Sequence, residues 1–130
     1  MLKKYGLDKN RIALMGFSAG GILTMGVALH NDVENCPNFI APIYGIVLGD
    51  NLNVPTNAAP LFFVCANDDD FVASRAANLY TAWRAAGKSV EFLVYSRGGH
   101  GFGMSKQGLP VDNWMEQFYE WLKAQGFVKK

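Results

Sequence analysis

Cysteine, proline and unbalanced charge are all scarce in this chain of 130 residues. The two cysteines, Cys36 and Cys65, cannot form a disulfide framework, and Cys65, inside an apolar run, reads as a buried free thiol. The cysteines and the two histidines are scattered singly, whereas a zinc site needs about four ligands. No metal and no cofactor is expected. Twelve Lys and Arg offset eleven Asp and Glu to a formal charge of +1. That balance forces no basic face, which argues against nucleic acid and membrane as partners. No apolar run approaches the ~18–20 residues of a membrane helix. The first six residues carry positive charge with no apolar stretch behind them, so they do not read as a signal peptide. The default location is cytoplasmic, and a missing upstream half would leave secretion open.

What is present is enough for one folded domain spanning 1–130. Half the residues are apolar and 13% are aromatic, sufficient for a real core and too much for a disordered chain. Four compact apolar runs stand out: Ile12 to Met15, Ile43 to Leu48, Leu61 to Ala66 and Val90 to Tyr95. Their lack of polar alternation predicts strands covered on both faces, as in parallel sheets.

Helical spacing fills the intervals. Leu23, Val27 and His30, or alternatively Ile22, Met25 and Leu29, form a first stripe. Val72, Ala76, Leu79 and Trp83 form a second, stopped by Gly87. Trp114, Phe118, Trp121 and Leu122 form a third, opened by an Asn113–Glu116 reciprocal cap. The polar stretch 49–59 reads as a loop. The order β-α-β-β-α-β-α predicts an α/β fold of about four mostly parallel strands and three main helices.

The first strand runs straight into Gly16-Phe17-Ser18-Ala19-Gly20-Gly21, which opens the first helix. G-x-S-x-G between strand and helix makes a sharp turn that lifts a serine hydroxyl clear of the backbone. Side chains at the flanking glycines are expected to collide with the neighbouring strand and helix. The helix N-terminus favours developing negative charge, and the Ala19 N–H is the expected oxyanion donor. A Gly-rich helix start with a serine cap is the plainer reading; the strand in front weighs against it.

His100 lies in Gly98-Gly99-His100-Gly101-Phe102-Gly103, just past the fourth strand, at the sheet edge where ligands gather. His30, ending the first helix, reads as a cap or a solvent-facing residue. The acid comes from Asn67-Asp68-Asp69-Asp70-Phe71-Val72, directly after the third strand. One carboxylate would orient the imidazole, while the others shape the turn and cap the next helix. The chain order Ser, Asp, His is the one α/β-hydrolases use.

These three segments resemble the α/β-hydrolase esterases of the acetyl esterase and xylan-esterase type. Arg11 to Gly21 is similar to their nucleophile region, with Leu7-Asp8-Lys9-Asn10 as its approach. Pro60 to Val72 is similar to their acid segment and its D-x-x-V pattern, which selects Asp69 over Asp68 and Asp70. Arg97 to Gly103 resembles their histidine loop. The resemblance implies a catalytic triad of Ser18, Asp69 and His100, acting on a small-molecule or acylated-sugar ester of short acyl chain.

It also implies departures. Family members place the nucleophile after about four strands, with an HGGG-type oxyanion loop ahead of it. Here the serine is residue 18, so the chain resembles a C-terminal half whose second oxyanion donor has no visible source. Phe17 differs from the acid usual in the hormone-sensitive-lipase-like branch, and Ala19 from the Tyr common in the peptidase branch. Three readings stay open: a short-chain serine carboxylesterase, a weak or inactive fragment acting as a binding or structural module, and a serine peptidase. With no upstream strand the first strand would be a bare apolar edge, and a homodimer or higher homo-oligomer is expected to cover it.

Overall fold

The computed structural model of the protein describes residues 2–49 and 52–128. A short 3-10 turn, Leu2–Tyr5, leads into strand β1 (Ala13–Phe17) and helix α1 (Ala19–His30). Strands β2 (Phe39–Ile43) and β3 (Leu61–Ala66) follow, then helix α2 (Asp70–Ala85) and strand β4 (Val90–Tyr95). A 3-10 turn at Pro110–Asn113 opens helix α3 (Trp114–Ala124). The four strands form one sheet in the order β1-β2-β3-β4, every pair parallel.

β2 and β3 are buried at every residue, as solid apolar runs demand. Successive side chains of β3 point to opposite faces, and each face meets a different helix. Phe62 packs on Phe118 and Trp121 of α3 at 4.8 and 5.6 Å between ring centroids. Phe63 stacks on Phe92, which packs on Tyr80 of α2. The predicted α2 stripe of Val72, Ala76, Leu79 and Trp83 is buried throughout, and the Trp83 indole N–H is satisfied by the Ala59 carbonyl at 3.0 Å. α2 ends as expected at Gly87, whose φ of +69 lets Gly87 N–H reach Arg84 O and Lys88 N–H reach Trp83 O.

Two expectations need correction, at the second strand and at the start of α3, and the open choice of stripe on α1 is resolved. The second strand lies at Phe39–Ile43 rather than Ile43–Leu48. Asn38 fixes this register: its side-chain oxygen accepts Ile12 N–H at 2.8 Å, and its own N–H donates to Ile12 O at 2.7 Å. Pro42 has no N–H to give; on either side of it Ile40 N–H donates to Pro60 O and Tyr44 N–H to Val64 O. After Ile43 the chain turns, with Tyr44 at φ +37, and Ile46 is buried as loop.

Helix α1 buries Met25 together with Gly21, Thr24 and Ala28, with Ile22 and Leu29 partly covered. Leu23 is 68% exposed, so the Ile22 register is the one used. At α3 the Asn113 side chain makes no cap bond; the 3-10 turn beginning at Pro110 supplies the first helical geometry instead. Of the predicted loop at 49–59, Asp50 and Asn51 lie outside the described residues.

β1 occupies an edge of the sheet, and among the described residues no strand pairs with its outer side. Met15 is 43% and Ile12 41% exposed there. This is the edge on which the expectation of self-association rests. No helix among the described residues is long and apolar enough to cross a membrane.

The backbones of α1 and the turn after β2 nearly touch. A Cβ placed on Gly45 would lie 2.4 Å from Gly21 Cα, and one on Gly21 would lie 2.7 Å from Gly45 Cα. Neither contact is with a flexible side chain that can swing away. Gly45→Ala should therefore destabilise the fold at or beyond the ~1–3 kcal/mol typical of overpacking, read as a lowered urea midpoint. Gly26→Ala, facing open space on the same helix, should leave that midpoint unchanged or raise it.

Candidate active site

Ser18 stands between the last residue of β1 and the first of α1, at φ 52 and ψ −114. A non-glycine residue at positive φ is strained, and such strain persists only where the surroundings over-determine it. Here both sides of the turn are fixed. Ser18 N–H donates to Ile43 O at 3.0 Å, and Ser18 O accepts Ile22 N–H at 2.9 Å. A Cβ on Gly16 would lie 2.1 Å from Gly20 O, so the strand and helix can fold this tightly only with glycine at 16.

The glycine at the other end of the motif has a different standing. A Cβ on Gly20 would meet nothing within 4 Å. The expected collision at both flanks thus holds for Gly16 and for Gly21 but not for Gly20. What matters at 20 is its carbonyl, the atom that closes over Gly16 and also accepts the Thr24 hydroxyl at 2.9 Å.

His100 reaches Ser18 from the opposite half of the sheet. The Ser18 hydroxyl and His100 Nε2 are 2.7 Å apart, and His100 Nδ1 lies 2.6 Å from Asp69 Oδ2. An ionised carboxylate only accepts, so the proton sits on Nδ1 and Nε2 is left to accept from the serine O–H. The Asp69 side chain is 4% exposed and that of His100 44%. The acid is shielded from water while the imidazole faces it. The Tyr44 ring packs edge-on against the imidazole at 5.1 Å between centroids and against Phe102 at 4.7 Å.

The three neighbouring aspartates part company here. Asp69 is the one against His100, and its Oδ1 also accepts Val72 N–H at 3.3 Å, so it caps α2 itself. The expectation that the other two do the capping is corrected: one short side chain at the strand–helix junction faces both ways. Asp68 instead accepts the backbone N–H groups of Gly99 and Gly98, and Asp70 lies in the first turn of α2. The Gly99 N–H, followed by that of Gly98, holds the Asp68 carboxyl below the usual carboxylate range.

Ala19 is the first residue of α1, where N–H groups have no intrahelical acceptor. His30 turns its Nδ1 to Gly26 O on its own helix at 2.9 Å, a structural bond. Burial pushes the Cys65 thiol up to about 12, with the Asp69 carboxylate acting the same way. It stays protonated, and a buried thiol is inert as a nucleophile. Sequence reasoning passed over Asp68 as a loop binder and Tyr44 as a wall of the site. The second was hidden because the strand that delivers Tyr44 was read four residues too late.

A strand–serine–helix elbow, with acid and histidine following later strands of one parallel sheet in the order Ser, Asp, His, defines an α/β-hydrolase. Solved structures agree. An acetyl ester-xyloside bifunctional hydrolase from Caldicellulosiruptor lactoaceticus aligns at a TM-score of 0.83 with 25% identity, over 98% of this chain and 61% of its own. A carboxylesterase from Lactobacillus plantarum aligns at 0.82 with 17% identity, over 99% of this chain and 64% of its own. The chain belongs to the dienelactone hydrolase family, whose model matches residues 1–128. Among curated relatives it is 26% identical to an acetylxylan esterase of Xylanibacter ruminicola, over 94% of this chain and 32% of the relative. It therefore spans about a third of that protein's length.

The geometry separates the aspartates experimentally. Asp69→Asn should slow labelling of Ser18 by a fluorophosphonate probe on the order of 10³–10⁴-fold, because an amide stabilises the wrong imidazole tautomer. Asp70→Asn should label at the wild-type rate. Equal slowing by the two would contradict the pairing of Asp69 with His100.

Proposed function

We propose that this chain is a serine carboxylesterase acting on short acyl esters, with Ser18, His100 and Asp69 as its catalytic triad. The observation that carries the reading is the continuous hydrogen-bonded chain from Ser18 Oγ through the imidazole to Asp69, with steps of 2.7 and 2.6 Å. In this mechanism Ser18 Oγ attacks the ester carbonyl carbon as its proton passes to His100 Nε2. The tetrahedral oxyanion is received by the Ala19 N–H and the positive end of α1. Collapse breaks the bond to the alkoxy oxygen, and Nε2 returns the proton to the departing alcohol. Water then attacks the acyl-serine, giving its proton to Nε2, and the acid leaves as that proton returns to Ser18.

Asp69 holds the Nδ1 proton throughout and stabilises the imidazolium. Its burial raises the value of that interaction. The preference for a short acyl group, and for acylated sugar as its carrier, comes from the acetyl ester named for two of the similar proteins. A second reading, a weak or inactive module, draws on the one backbone N–H that the described residues assign to the oxyanion, since each such donor is typically worth ~10²–10³ in turnover.

Hydrolysis of p-nitrophenyl acetate distinguishes the two. The wild type should turn the ester over with an initial burst, and Ser18→Ala should lose on the order of 10³-fold or more in kcat. Equal rates for wild type and Ser18→Ala would refute the triad. A wild type that labels at Ser18 with fluorophosphonate yet leaves the ester intact would favour the module.

A further inference from the structure

The loop that carries His100 is anchored past the histidine by buried Phe102 and by the Trp114 indole on Gly103 O, but the glycines on either side of the histidine are not packed. Gly99 and Gly101 sit at φ +67 and +80, and a Cβ on either would meet nothing within 4 Å. Neither packing nor side-chain bulk fixes the backbone at these two positions, and glycine is the residue with most freedom to lose. At Gly99 the restraint comes from the end of β3. Asp68 Oδ1 accepts Gly99 N–H at 2.8 Å, and Asp68 Oδ2 accepts Gly98 N–H at 3.3 Å. On the other side of the loop the Gln107 amide donates to Gly98 O at 3.0 Å.

We propose that Asp68 is a positioning residue, whose carboxylate grips the backbone before His100 and so places the imidazole within reach of Ser18 and Asp69 together. The inference rests on the Ser18–His100–Asp69 reading above. Two adjacent aspartates then divide one task. Asp68 fixes where the histidine backbone lies, and Asp69 fixes which way its ring faces.

Physical chemistry favours this division. Hydrogen bonds to an ionised acceptor are roughly twice as strong as neutral ones, and a carboxylate is ionised at neutral pH; the Gly99 N–H holds that of Asp68 below the usual range. The bonds on either side of the imidazole are short, 2.7 and 2.6 Å. Drift of the loop by about 1 Å would break one of them, and misplacement on that scale costs on the order of 10²-fold. The sheet does not need Asp68 for its own integrity. The β3–β4 register already runs to Ala66 and Tyr95, and Asn67 N–H closes it on Tyr95 O at 2.7 Å.

The test compares wild type, Asp68→Ala, Asp68→Asn and Asp70→Ala in three measurements: fluorophosphonate labelling and p-nitrophenyl acetate turnover, amide hydrogen exchange, and the thermal midpoint. Asp68→Ala should lower the labelling rate and kcat by about 10–10²-fold while KM moves less than about twofold. Exchange at Gly98 and Gly99 should quicken, with the β3 amides and the midpoint held. Asp68→Asn, keeping one acceptor oxygen, should fall between Asp68→Ala and wild type, and Asp70→Ala should match wild type. Labelling by Asp68→Ala at the wild-type rate would overturn the proposal. So would a loss that comes with a lowered midpoint and faster β3 exchange, which would make Asp68 a residue of the fold. A wild type that neither labels nor turns over would instead defeat the triad reading, and with it this inference. Labelling of wild type and Asp68→Ala at one rate, with Ser18→Ala silent, would defeat this inference alone.

Discussion

Ser18 holds a backbone conformation, φ 52, that an L-residue adopts only at a cost, and the first half of the sheet is arranged around keeping it there. The serine N–H is tied to the end of β2 and its carbonyl to the first turn of α1. Gly16 lets the strand lie under the helix, and Gly21 lets the helix lie against Gly45. Strain of this kind costs on the order of 1–3 kcal/mol, and close packing on both sides is what offsets it. The same arrangement explains why α1 buries small residues, Gly21, Thr24 and Ala28, around a single large one, Met25. A helix packed on bulkier side chains would stand too far from the strand to complete the turn.

The second half of the sheet solves a different problem, which is to bring a polar pair to a serine while keeping the carboxylate of that pair away from water. Asp69 is buried where β3 gives way to α2, and both its oxygens are satisfied, one by the imidazole and one by Val72 N–H. A buried carboxylate left short of partners would be expensive. The Trp114 indole donates to Gly103 O at 2.7 Å, so α3, which covers one face of the sheet, also anchors the far end of the histidine loop. Core and site share their supports.

Much of this was legible in the sequence because it depends on residue types with narrow uses. A serine among glycines between a strand and a helix serves few ends besides an exposed hydroxyl, and the α2 stripe from Val72 to Trp83 is read directly from spacing. Asp69 was selected by resemblance to the D-x-x-V pattern, since three adjacent aspartates look alike by charge alone. What distinguishes them is the direction each takes at a strand–helix junction, a property of the fold. β2 was misplaced for a related reason. Pro37 and Pro42 disguise a strand whose register is set by Asn38 and Ile12, far apart in sequence. The run from Ile43 to Leu48 looked more strand-like, yet its burial comes from a turn pressed beneath α1 at Gly45. The Asn113 cap failed because a proline-led 3-10 turn had already supplied the start of α3.

Strand order in the sheet follows chain order without a crossing, β1-β2-β3-β4. Each strand is templated only by its sequence neighbour, whereas the bond between Ser18 and His100 spans 82 residues. Among the described residues the serine follows one border strand and the histidine the other. Such a sheet can fray at a border with its middle intact, since local openings draw on the least protected element rather than on global stability. Peeling of β4 alone would carry His100 away while β2 and β3 stayed packed. The working lifetime of the site therefore follows its borders rather than the buried middle of the sheet.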